Sequence, residues 1–82
     1  MENGLSVLLI EGKRRLKNNF AQELSDKGFD VTTVTSGATA LETIPELMPN
    51  VVVINAMSLR TNGLRITNWI RTAWPDLPII LI

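Results

Sequence analysis

The sequence predicts an α/β fold, an open parallel sheet with helices on both faces. Two observations predict it: four apolar runs of strand length, and three segments of helical periodicity that alternate with them in the order βαβαβαβ. Short connections and right-handed crossovers leave few other arrangements for such an order. No internal repeat, linker or low-complexity tract interrupts the pattern, so residues 1–82 read as one small domain.

Ser6 to Ile10 (SVLLI) is continuously apolar, the signature of a strand buried on both faces, and is the first strand. From Lys13 to Lys27 the period changes to 3.6: Leu16, Phe20 and Leu24 form an apolar row with charged and amide residues between them. Gly28 stands where a helix C′ residue belongs. Phe29 to Thr35 (FDVTTVT) is rich in β-branched residues and is the second strand, nearer the sheet edge.

Ser36 is positioned to cap a second helix over Ala38 to Met48, whose apolar residues are Leu41, Ile44, Leu47 and Met48. Pro45 lacks the N–H that would bond to the Leu41 carbonyl, which predicts a kink or an early end there. Pro49 and Asn50 mark a turn into Val51–Ile54 (VVVI), the most strand-like run, expected to be central. A loop over 56–63 ends in Asn-Gly. Ile66, Ile70 and Trp74 then form the stripe of a third helix stopped by Pro75, and LPIILI is a fourth buried strand.

Lysine plus arginine and aspartate plus glutamate number eight each, so no basic excess favours nucleic acid or an anionic membrane. Cysteine and histidine are absent, which removes disulfides, thiolate nucleophiles, the commonest zinc ligands and the usual general base. The N-terminal apolar run is too short for a signal peptide or a membrane span, so a cytoplasmic location is expected. There is no GxGxxG after the first strand, no GxxxxGK[ST] and no serine with a histidine base, so no enzyme activity is expected.

In sheets of this kind ligands bind beyond the carboxyl ends of the strands, where strand order reverses. That rim holds Glu11, Gly12, Asn55 and the residues just after them. Lys13 and Arg14 could draw an anion to it, although two solvated side chains on a first helical turn are the simpler reading.

The segments VLLIEG, GFDVTTVTSGATALE, PNVVVINAMSLRTNGL and WPDLPIILI together resemble the receiver domain of bacterial two-component response regulators, over nearly the whole chain and without a gap. SGATAL is similar to that family's opening of the second helix, Asn62-Gly63 to its Asp-Gly after the third strand, and DLPII to its entry into the fourth. The resemblance implies a flavodoxin-like, doubly wound sheet that lacks the last strand and two helices of the full receiver. Both later switch residues, the hydroxyl residue that ends the fourth strand and the lysine of the fifth, then fall beyond Ile82.

The departures are equally informative. Receivers carry two adjacent acidic residues after the first strand, and this chain has Glu11 followed by Gly12. Their phosphate-accepting aspartate aligns with Asn55, whose carboxamide is neither a nucleophile for phosphoryl transfer nor a charged ligand for magnesium. The residue whose backbone carbonyl also binds the metal in receivers is here Met57. The resemblance therefore implies a degenerate acidic pocket at Glu11 and Gly12, a relic phosphosite at Asn55, and a lost magnesium site.

Trp74 continues the Ile66–Ile70 row and is expected in the core. Trp69 lies at the border of that stripe, where a contact residue and simple packing are both open. The fourth strand would be an outer one, with uncovered backbone groups and apolar side chains around Ile79 and Leu81, and should pair with something. The expected function is a degenerate receiver that works as a phosphorylation-independent interaction or dimerisation module, in the setting of a transcriptional regulator. The alternative is the N-terminal part of an ordinary phosphorelay regulator whose acceptor position is altered.

Overall fold

Strands and helices alternate as predicted in the computed structural model, which describes residues 4–12, 20–60 and 62–82. The elements are β1 (Ser6–Glu11), α1 (Phe20–Asp26), β2 (Asp30–Val34), α2 (Gly37–Leu47), β3 (Val51–Asn55), a single 3-10 turn (Ala56–Ser58), α3 (Gly63–Ala73) and β4 (Ile79–Leu81). All pairings are parallel and the strand order is β2-β1-β3-β4. β1 and β3 are thus the inner strands, and the order reverses between them.

Burial on both faces explains the unbroken apolar runs. Leu8, Ile10, Val52 and Ile54 point to one face, where Ala40 and Ile44 of α2 and Ile66 and Ile70 of α3 cover them. Val7, Leu9 and Val53 point to the other, against Phe20, Ala21 and Leu24 of α1. At roughly 25 cal/mol for each Å² of apolar surface removed from water, these two layers are the main stabilising contribution.

The ends of the elements follow local chemistry. Leu24 and Ser25 carbonyls accept from Phe29 and Gly28 N–H, the two bonds of a Schellman motif, and Gly28 takes the φ of 96° that the motif needs. The Ser36 hydroxyl accepts from Thr39 N–H at 3.2 Å, as an N-cap does. Asn50 fastens the start of β3 to the start of β1, its N–H donating to the Ser6 carbonyl at 2.8 Å and its Oδ1 accepting from Ser6 N–H at 2.7 Å.

Two expectations are corrected. Pro45 does not end α2, which runs on to Leu47; the proline lies in the last turn, so only the Leu41 carbonyl loses a donor, and Met48 closes the helix in the left-handed region with its N–H on the Ile44 carbonyl. The run LPIILI is not covered on both faces as its apolar composition suggested; it forms the outer strand that was also expected, with Ile79 packed on the core and Ile80, Leu81 and Ile82 exposed because no element among the described residues lies outside β4. Leu16, Lys13 and Arg14 lie outside the described residues.

Candidate functional site at the carboxyl rim of the sheet

The register of β1 on β3 pairs Glu11 with Asn55, the last residues of the two inner strands. In parallel strands such partners project to the same face, so two residues distant in sequence meet at the point of strand reversal. Asn55 is 3% exposed, and its Nδ2 donates to Glu11 Oε2 at 2.9 Å. Glu11 is half-buried, so its carboxylate meets an amide donor on one side and solvent on the other. The three rim positions marked in the sequence, Glu11, Gly12 and Asn55, are therefore brought together.

Ser58, which the sequence reading passed over, completes the arrangement. It is 3% exposed, and its hydroxyl donates to the Asn55 carbonyl at 2.7 Å while accepting from Gly12 N–H at 2.8 Å. A hydroxyl three residues after a strand end, able to bond back to the backbone of the turn, was the available signal. Nothing local to the sequence shows that it would also reach Gly12. Among the described residues, no buried side-chain polar atom at this rim or elsewhere lacks a hydrogen-bond partner. Met57 turns its side chain outward, 68% exposed.

Asn62 caps α3 by accepting from Leu64 N–H at 2.8 Å. Gly63 beside it packs closely, since a Cβ there would lie 2.8 Å from the tip of Leu81 and 3.0 Å from Ala56 Cβ, and Leu81 would have to turn aside. The Asn-Gly pair thus seats α3 between the β3 turn and β4. Trp69 lies with one ring edge over Gly37 and is half-exposed, so both of its suggested roles remain compatible with its position. Trp74 packs against the core, and also lines an open groove of about 700 Å³ with Pro45, Pro49 and Pro78 at the opposite end of the sheet.

At the two ends of β4, the Pro78 carbonyl accepts from Val52 N–H and Ile82 N–H donates to the Ile54 carbonyl of β3, while the Ile82 carbonyl accepts from Ala56 N–H just after β3. Alternation along a strand then turns the N–H and C=O of Ile79 and Leu81 away from β3, to the outer edge. Of the contact residues marked in the sequence, Ile79 keeps its side chain on the core and offers only its backbone, whereas Leu81 offers both. Among the described residues there is no group of three or more acidic residues that could hold a metal, and no helix is long and apolar enough to cross a membrane.

Residues 7–82 match the family model of the response regulator receiver domain. The chain is similar to the response regulator MprA of Mycobacterium sp. (strain KMS), 29% identical over 76 residues that make up 93% of this chain and 33% of that protein. It is similar at 27% over 78 residues to the response regulator MprA of Mycobacterium leprae (strain TN), with 95% and 34% covered. It therefore spans about one third of the length of these curated relatives. Among solved structures, the signal receiver domain of a modulated diguanylate cyclase from Desulfovibrio desulfuricans G20, described as an example of alternate folding, superposes with a TM-score of 0.76 at 28% identity. The match covers 95% of this chain and 63% of that one.

Proposed function

Because the chain belongs to the response regulator receiver domain family of signal transduction, we propose that it is a degenerate receiver that acts through contacts with a protein partner and without phosphorylation. The observation that carries this reading is the 2.9 Å bond from Asn55 Nδ2 to Glu11 Oε2. Forming an acyl phosphate needs a carboxylate oxygen to attack phosphorus. At this position the chain presents an amide, whose nitrogen lone pair is delocalised into its carbonyl and whose N–H faces the remaining acid.

The residues present do not fit the magnesium ion that the family uses. Such a cation seeks near-octahedral oxygen ligands, with one or two carboxylates among them. Glu11 is a single carboxylate already engaged by an amide donor, Gly12 brings no side chain, and Asn55 brings no charge. No catalytic role is assigned to any residue, and the cytoplasm is the setting that fits a signalling domain of this kind. The length of the curated relatives supports a neighbouring output domain in the parent protein, with transcription control as the proposed output.

Incubation of the chain with magnesium and a small phosphodonor such as acetyl phosphate is expected to leave its intact mass unchanged. A mass gain of one phosphoryl group that is lost on treatment with hydroxylamine would overturn the reading.

Self-association through β4 is the proposed form of the contact. The outward backbone groups of Ile79 and Leu81 flank Ile80, so two copies related by a two-fold at Ile80 could pair Ile79 of each with Leu81 of the other in antiparallel fashion. Ile80, Leu81 and Ile82 leave that edge apolar and without a charged gatekeeper. Light scattering is expected to give a mass that rises with concentration toward a dimer, and Ile80→Lys is expected to return it to monomer without changing the circular dichroism. A concentration-independent monomer for the unaltered chain would rule this contact out.

A further inference from the structure

The carboxyl rim contains a contact that the loss of phosphorylation chemistry does not by itself require. Gly12 N–H donates to the Ser58 hydroxyl at 2.8 Å, and the same hydroxyl donates onward to the Asn55 carbonyl at 2.7 Å. One oxygen thus uses its donor and an acceptor site to tie the end of β1 to the end of β3. The backbone closes in further: a Cβ on Gly12 would lie 2.1 Å from the Ser58 carbonyl oxygen, 3.0 Å from its carbon and 3.2 Å from Leu59 Cδ2. Gly28 is the one described glycine with positive φ, so at Gly12 it is the approach of another backbone, and not a left-handed conformation, that demands glycine.

We propose that Gly12 and Ser58 form a clasp that fastens the β3–α3 loop down onto the end of β1 and holds the rim in one conformation without an ion or a phosphoryl group. The proposal deepens the reading of a degenerate receiver and rests on it. It assigns Ser58 as the residue that closes the loop and Gly12 as the residue that makes room for it. The clasp and a side chain at position 12 exclude each other, because the obstructing atoms belong to the Ser58 backbone and cannot swing aside as a side-chain tip could. A chain built this way cannot regain the second acid without lifting the loop, so the degenerate state is held by packing as well as by composition.

Amide hydrogen exchange on the 82-residue chain, read residue by residue by NMR, tests this directly. The Gly12 N–H is expected to be protected in the unaltered chain, and Ser58→Ala is expected to speed its exchange by at least about tenfold relative to the core amide of Val53, a local opening distinct from global unfolding. Gly12→Ala is expected to shift the resonances of residues 56–60 while leaving the β1–β2 pairing in place. A Gly12 amide that exchanges at the free-peptide rate in the unaltered chain overturns the clasp, whether or not either variant folds. So does a Ser58→Ala chain in which Gly12 and Val53 keep their ratio. Phosphoryl uptake by the unaltered chain would instead remove the functional reading, so the two failures are separable.

Discussion

Truncating Ile54 to alanine is expected to remove about 2–5 kcal/mol of stability, the range for deleting a large aliphatic side chain from a packed core. Ile54 is fully buried, pairs with Ile10 on one side and Leu81 on the other, and directly precedes Asn55. A chain of 82 residues has roughly 4–12 kcal/mol in total on a per-residue scale, so this single change takes away a large share of it. Urea unfolding followed by circular dichroism should show a lower midpoint with the slope retained, and thermal unfolding a drop of about 10–25 °C. A loss below about 1 kcal/mol would mean that the Ile54 site collapses around the truncation, contrary to tight packing of the inner strand β3.

Asn55→Asp is expected to have the second large effect, and one that depends on pH. The substitution places a buried carboxylate where an amide now donates to Glu11 Oε2 at 2.9 Å, so two like charges would face each other at the rim. Such a pair holds its last proton well above the ordinary carboxylate range, and the titration belongs to the pair. A folded-state pKa raised above the unfolded value means that the cost is absent below about pH 4 and grows as pH rises through the raised folded value. At neutral pH the variant is expected to be about 2–4 kcal/mol less stable than the unaltered chain, the scale of two charges about 4 Å apart in a partly screened site. The two should converge as the pH is lowered. Recovery on adding magnesium would show that a second carboxylate beside Glu11 restores a ligand set that the unaltered chain lacks.

Most of the framework was legible because each part rests on local or periodic chemistry. A strand covered on both faces has to be apolar at every position, which is why SVLLI and VVVI stand out without ambiguity. Ser36 and Gly28 were readable for the same reason, since a cap and a C′ glycine each serve backbone groups a few residues away. The Glu11–Asn55 pairing was legible only once the strand order was known, because a register is what brings the two together.

What stayed hidden depends on distances that sequence spacing does not carry. Whether Pro45 breaks α2 turns on how many carbonyls remain to be satisfied beyond it, and here the helix was about to end anyway. The apolar composition of LPIILI suits a buried strand and an uncovered outer one alike, and only its place in the alternation of elements pointed to the second, which its three exposed end residues bear out. Ser58 and Gly12 looked like an ordinary loop hydroxyl and a missing acid. Their contact spans 46 residues and exists only in the folded chain.

The strand order also constrains how the chain comes to be folded. No two neighbouring strands are joined by a tight turn, and β1 has its partners on both sides drawn from later parts of the sequence. Long loops must close before any strand pairing is rewarded, which makes such topologies slow relative to those with local contacts. During synthesis β1 would leave the ribosome before either of its strand partners, and it could not be enclosed until β3 had followed it out. An apolar inner strand thus waits for both of its partners, and that interval is where a chaperone or an aggregate would compete for it.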